Sequence, residues 1–81
     1  MKIAILGAGN LGLSIAKGLI TNNSITQLYL TRRNPSSISE WEEYKNTLVT
    51  GENRKAVSES DIIILAVQPA QLDGVLREIA D

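Results

Sequence analysis

The chain has 81 residues, enough for one small domain and too few for a cofactor domain joined to a substrate domain. Its formal net charge of −1 gives no basic footprint for nucleic acid or an anionic membrane surface. With no cysteine and no histidine in the chain, disulfides, thiol nucleophiles, histidine bases and Cys/His metal sites are excluded within it.

Lys2-Ile3-Ala4-Ile5-Leu6 is a nearly continuous apolar run, which predicts a parallel strand covered on both faces. It is too short for the apolar core of a secretory signal, and no segment approaches the ~20 apolar residues of a membrane span. A cysteine-free chain of this kind fits a cytoplasmic protein. A glycine turn follows, and then a helix over about residues 10–20. Its apolar positions Leu11, Ile15, Ala16, Leu19 and Ile20 share one face. Thr21-Asn22-Asn23-Ser24 ends it.

Gln27-Leu28-Tyr29-Leu30-Thr31 predicts a second strand, and Arg32-Arg33-Asn34-Pro35 a loop. Ser37 and Glu40 have capping-box spacing, which predicts a short helix over about residues 38–45. Thr47-Leu48-Val49-Thr50 is a short third strand stopped by Gly51, and Asn53 is placed to cap a helical turn running to about Glu59. Ile62-Ile63-Ile64-Leu65-Ala66-Val67 is the most apolar strand, broken by Gln68-Pro69. Leu72, Val75, Leu76 and Ile79 then mark an amphipathic helix, which stops abruptly at Asp81.

Alternating strands and helices predict an α/β fold, a Rossmann-type doubly wound parallel sheet with strand order 3-2-1-4. A complete fold of this type adds further strands. The chain is therefore expected to be the N-terminal part of something longer, truncated after about four strands.

The chemistry centres on Gly7-Ala8-Gly9-Asn10-Leu11-Gly12. A G-x-G-x-x-G run between a strand and a helix is the fingerprint of a dinucleotide site. Gly7 allows the tight turn, Gly9 lets a pyrophosphate approach the backbone, and Gly12 lets the helix pack against the strand. Asn10 and Leu11 can offer backbone N–H groups at the positive end of the helix. Leu11 also starts the packed helix face.

A NAD site places Asp or Glu at the end of the second strand, roughly 20 residues on. Here Thr31 stands at that point, followed by Arg32 and Arg33. Cationic forks without a carboxylate suit a ribose 2′-phosphate, with Thr31 and Asn34 as further donors. NADP (as NADPH) is the expected cofactor and NAD the less favoured one. Without the glycine turn, the same arginine pair reads as a solvated charged loop.

Ala66, Val67, Gln68 and Pro69 leave the fourth strand where the cofactor's middle and nicotinamide ribose pass; a plain strand-to-helix turn explains them equally well. Asn53 has two readings, a helix cap and a contact on the adenine side. Trp41 and Tyr44 read as packing, Glu40, Glu42 and Glu43 as a solvated acidic face, and Asp61 as a turn cap. No catalytic constellation and no metal site is visible, so the substrate groups are expected outside this chain.

Taken together, these stretches resemble the N-terminal domain of the pyrroline-5-carboxylate reductases. The carrying residues are Met1-Lys2-Ile3 running into Gly7 to Gly12, then Asn53 within Gly51-Glu52-Asn53-Arg54-Lys55-Ala56-Val57. Asp61-Ile62-Ile63-Ile64-Leu65-Ala66-Val67-Gln68-Pro69, with Val75-Leu76 beyond it, completes them. The family has Met at the position of Leu11 and Lys at the position of Gln68, which here removes a positive charge near the cofactor. The resemblance implies reduction of 1-pyrroline-5-carboxylate to proline with NADPH, or sometimes NADH. It also implies a separate helical C-terminal domain that makes the homo-oligomer and most of the substrate site. A fragment of this extent is then not expected to turn over by itself. Two alternatives stand beside it. One is another NADP-linked reductase, such as a coenzyme-F420-dependent NADP reductase. The other is a non-catalytic NAD(P)-sensing domain.

Overall fold

The computed structural model describes residues 1–80; Asp81, where the last predicted helix was to stop, lies outside them. Four parallel strands form one sheet in the order β3-β2-β1-β4: β1 (Lys2–Leu6), β2 (Gln27–Thr31), β3 (Thr47–Thr50) and β4 (Ile62–Leu65). The registers are Ile3 opposite Leu28 and Ile62, and Leu28 opposite Thr47. This is the predicted α/β architecture and strand order.

The sheet is covered on both sides, which is why β1 carries apolar residues at successive positions. On one face Ile3, Ile5, Leu28 and Leu30 pack with Ala8, Ala16 and Ile38. Helix α1 (Asn10–Leu19) supplies Leu13, Ile15 and Leu19 to this layer, and Trp41 joins it. On the other face Ala4, Leu6 and Tyr29 meet Ala56 and Val57 of helix α2 (Asn53–Ser58) and Val75 and Ile79 of helix α3 (Pro69–Ile79). Burial, and next the carboxylate of Glu59, raise the Tyr29 phenol above its ordinary pKa. No helix of the described residues is long and apolar enough to cross a membrane.

Several local expectations change. Leu11 does not join the packed face of α1; it is 65% exposed, and Leu13 packs in its stead. The segment after β2 is not a helix over 38–45 with a capping box. It is a pair of 3-10 turns spanning Pro35–Glu43, broken where Ile38 leaves helical dihedrals. Ser37 Oγ donates back to the Asn34 carbonyl at 2.7 Å, so Ser37 lies inside the first turn and caps nothing. Pro35 explains the early start, since its ring presets the dihedral of a first helical position. Asn53 is the first residue of α2, whose N-cap is Glu52, so Asn53 does not cap it.

β4 stops at Leu65, two residues early, although the Ala66 N–H still donates to the Leu6 carbonyl at 2.9 Å. As an edge strand it leaves Ile62 and Leu65 more than two-fifths exposed, and Leu72 and Leu76 of α3 are exposed as well. Glu42 is not a purely solvated charge, because its Oε2 accepts the Val49 N–H at 3.2 Å. Asp61 clips the start of the sheet: its Oδ2 accepts the Lys2 N–H at 2.9 Å and its own N–H donates to the Lys2 carbonyl at 2.7 Å.

Candidate functional site: a cavity at the carboxyl ends of the strands

Because all four strands run the same way, the residues leaving them gather at one edge of the sheet. β1 pairs with β2 on one side and β4 on the other, so the chain order reverses around β1. A crevice opens at such a reversal. Here it holds a cavity of about 470 Å³ lined by Gly7, Thr31, Arg32, Arg33, Asn53 and Val67, all expected at the site.

The three motif glycines are glycine for three different reasons. Gly7 has φ +81°, and an added Cβ would stand 2.4 Å from Val67 Cγ1. Both facts demand glycine for the fold itself. Gly12 packs α1 onto the sheet: a Cβ would lie 3.2 Å from the Gly7 carbonyl oxygen and from Ile5 Cγ2, and 3.4 Å from Ala66 Cβ. Gly9 is different. Its dihedrals, φ −84° and ψ −157°, are extended and open to any residue. A Cβ there would meet nothing within 4 Å. Neither backbone conformation nor packing against protein atoms requires glycine there.

The same loop sorts its amides. Gly7 N–H is shared between Thr31 Oγ1 at 3.2 Å and the Thr31 carbonyl at 3.1 Å, and Ala8 N–H donates to that carbonyl at 2.7 Å. Gly9 N–H turns back to the Gly7 carbonyl at 2.7 Å. The first α-helical bond is Leu13 N–H to the Gly9 carbonyl at 2.9 Å. The amides of Asn10, Leu11 and Gly12 thus stand at the open start of α1, where N–H groups have no intrahelical acceptor and the dipole is positive. Anions are favoured there.

Thr31 is 1% exposed and ties the end of β2 to this loop. Its hydroxyl oxygen accepts the Gly7 N–H. Replacing Thr31 by Val keeps the shape and the carbonyl acceptor and removes only the hydroxyl. It is expected to cost about 1 kcal/mol of stability, read by urea denaturation. A loss near zero would mean that the carbonyl alone holds the turn.

The remaining expected residues are placed around the cavity without lining it. Ala8 is fully buried behind the turn, and Ala66 packs beside Gly12. Asn34 is drawn into its own turn, its Oδ1 accepting from Ser36 Oγ at 2.8 Å. Gln68 is the N-cap of α3 and Pro69 its first residue. The strand-to-helix reading therefore describes Gln68 and Pro69, while Val67 does both jobs: it abuts Gly7 and lines the cavity.

Six lining residues were not anticipated: Gly51, Ala70, Gln71, Gly74, Val75 and Glu78. Five of them lie on α3 at helical spacing; apart from Val75, which belongs to the apolar stripe, they are polar or small and leave no hydrophobic period in the sequence. Glu78 reaches Asn53, whose Nδ2 donates to Glu78 Oε1 at 3.0 Å. Asn53 Oδ1 is buried without a hydrogen-bond partner. A buried acceptor left this way costs about 1–3 kcal/mol, which a ligand donor can recover. No ion pair joins Glu78 to Arg32 or Arg33 among the described residues.

The family model of NADP oxidoreductases, coenzyme F420-dependent, matches residues 2–81. Pyrroline-5-carboxylate reductase 1 of Dictyostelium discoideum is 44% identical over 95% of this chain, which spans 14% of that protein. Pyrroline-5-carboxylate reductase 2 of the same organism is 38% identical over 96% of this chain and 27% of its own length. Among solved structures, a pyrroline-5-carboxylate reductase from Coxiella burnetii superposes with a TM-score of 0.83 at 29% identity, covering 95% of this chain and 29% of that one. The chain thus spans less than a third of these relatives. It belongs to the NADP oxidoreductase coenzyme F420-dependent family and is related to the pyrroline-5-carboxylate reductases.

Proposed function

We propose that this chain is the NADP-binding portion of an oxidoreductase that reduces 1-pyrroline-5-carboxylate to proline. The observation that carries the cofactor site is Gly9, open on its Cβ side beside three helix-start amides, in the same turn as Gly7, which lines the arginine-bearing cavity. The amides of Asn10, Leu11 and Gly12 receive the pyrophosphate. Arg32 and Arg33 receive the 2′-phosphate, with the Thr31 hydroxyl as a donor between them and the turn. Asn34 stands next along this loop, and Asn53 serves the adenosine side. Ala66 and Val67 border the path toward the nicotinamide, with Gln68 and Pro69 setting the exit of the chain.

Bound NADPH supplies the hydride, and this chain orients it. The substrate groups come from a second, helical domain that also makes the homo-oligomer. The open, apolar edge of β4 and the uncovered leucines of α3 support an attachment of further structure there. We place the protein in the cytoplasm, a setting that a cysteine-free chain fits. A second reading, a coenzyme-F420-dependent NADP reductase, is favoured by the description of the matching family and suits Thr31-Arg32-Arg33 equally well. Assaying the enzyme with pyrroline-5-carboxylate and with reduced coenzyme F420 separates the two.

The cofactor reading predicts that NADPH binds more tightly than NADH in a calorimetric titration. Replacing Arg32 and Arg33 together by Ala is expected to weaken NADPH about 10- to 100-fold, as lost charge-assisted hydrogen bonds do. NADH should change by less than about threefold, since exposed charges without a partner contribute little. A uniform loss for both cofactors would count against a 2′-phosphate contact.

A further inference from the structure

The two outer strands of the sheet, β3 and β4, are finished differently. In β3 the carbonyls of Asn46 and Thr50 accept the Leu28 and Arg32 N–H groups on the β2 side. Backbone groups alternate along a strand, so Thr47 and Val49 turn their N–H and C=O groups outward. Such an edge is a template for another strand. Here, however, both outward donors are taken by the segment that precedes the strand. Thr47 N–H donates to the Tyr44 carbonyl at 3.3 Å, and Val49 N–H to Glu42 Oε2 at 3.2 Å.

This segment is held from the core. Ile38 is buried where the 3-10 turns break, and Trp41 packs on the same cluster as Val49. The Tyr44 ring lies tilted against Trp41, centroids 5.3 Å apart, and Asn46 at φ 63° then turns the chain back into β3. Glu42 follows Trp41 directly and is thereby carried along the outer side of the strand. Its oxygen stands where the carbonyl of a neighbouring strand would stand. A carboxylate only accepts hydrogen bonds, so a second acceptor is refused there. β4 has no such device. Its register with β1 and the bond from Ala66 N–H to the Leu6 carbonyl turn Ile63 and Leu65 outward. Neither of those two amides donates to another described residue.

We propose that residues 41–44 are a strap that shuts the β3 edge against a second copy of this chain, with the Glu42 carboxylate as its latch. The occupant follows from the strand itself. Thr47-Leu48-Val49-Thr50 carries no charge and is mostly β-branched. It is also self-complementary. Run antiparallel, Thr47 of one copy meets Val49 of the other, and reciprocally, so that the outward donors and acceptors of both strands are used. Leu48, nearly half exposed, then meets Leu48 of the second copy. The strap forecloses this pairing and leaves the sheet open at β4 alone.

The test is sedimentation velocity of the chain over a range of concentrations. Glu42→Ala removes the carboxylate from an exposed position. It should strengthen self-association by about 10-fold or more over the wild type, since one freed donor in each copy gains an acceptor. Leu48→Lys in that background sets like charges opposite each other across the pairing and should return association to the wild-type level. Glu42→Gln keeps an acceptor for the Val49 N–H and should behave as the wild type. No gain with Glu42→Ala would overturn the proposal. A gain that survives Leu48→Lys would overturn it too, and would place the contact on another surface such as β4. Equal gains with Gln and Ala would overturn the hydrogen-bonded latch.

A second measurement needs no variant. In the dilute wild type, the Val49 amide should exchange its hydrogen about 10-fold or more slowly than the outward amides of Ile63 and Leu65, because only Val49 is hydrogen-bonded. Equal rates at the two edges would mean that the strap does not hold β3, and would overturn the proposal whatever the variants do.

Discussion

Gly9→Val is expected to leave the fold intact and to abolish binding of NADPH and NADH alike. Both halves of this expectation come from the same geometry. The backbone at Gly9 is extended, a conformation valine adopts readily, and the side chain would grow into space that no protein atom occupies. The change to stability is confined to a poorer N-cap, about 1 kcal/mol. The space that receives the valine, however, adjoins the free amides of Asn10, Leu11 and Gly12. A pyrophosphate must come within hydrogen-bond distance of them, and three added carbons stand in its way. The expected loss is at least about 100-fold, from steric exclusion and lost charge-assisted bonds together. Calorimetry with each cofactor measures it, and a circular-dichroism melt checks the fold. Undiminished binding by a folded variant would mean that this turn is not the pyrophosphate site.

The frame of the fold was legible because its signals are local and repeated. β1, β2 and β3 have the bounds that their apolar runs mark, and the order β3-β2-β1-β4 follows from the alternation of strands and helices. What failed depended on contacts that spacing does not encode. Ser37 and Glu40 matched a capping box in sequence, but Pro35 had already begun the turn and the Ser37 hydroxyl was drawn back to Asn34. Leu11 fell on the apolar stripe of α1, yet it sits in the first turn beside the glycine loop, with no core against it.

In the site, residues fixed by backbone geometry were found and those fixed by docking were not. Gly7, Thr31 and Val67 converge because three strand ends converge. Asn53 was ambiguous, since its partner Glu78 lies 25 residues away on a helix whose cavity face carries Ala70, Gln71, Gly74 and Glu78. Small and polar residues leave no hydrophobic period, so only the placement of α3 reveals that face. Asn46 is a comparable case. Its φ of 63° turns the chain into β3, and its carbonyl accepts the Leu28 N–H at 2.8 Å and Gln27 Nε2 at 3.1 Å. Asparagine tolerates the left-handed region through local polar contacts, but nothing about residue 46 alone required it.

Gly7→Ala should have the opposite signature to Gly9→Val, with stability lost first and binding lost as a consequence. Two separate costs combine at this position. Holding alanine at φ +81° costs about 1–2 kcal/mol. The new methyl also meets Val67 Cγ1 at 2.4 Å and Val67 Cα at 3.0 Å, and relief of such a clash by side-chain and backbone shifts costs about 1–3 kcal/mol more. The total, about 2–5 kcal/mol, is a large part of the 4–12 kcal/mol or so expected for a domain of 81 residues. Urea denaturation should show the midpoint falling with little change in slope. A loss below about 1 kcal/mol would mean that the turn relaxes freely. The two costs can be told apart, because Val67→Ala removes Cγ1 and leaves the dihedral as it is. In the double variant the clash component should be recovered in part, giving a favourable coupling of about 1 kcal/mol between the sites, while the dihedral cost and the contact with Val67 Cα remain. A coupling of zero would place the whole penalty in the backbone. In that case the approach of the β4 exit to the glycine turn is not what requires glycine at position 7.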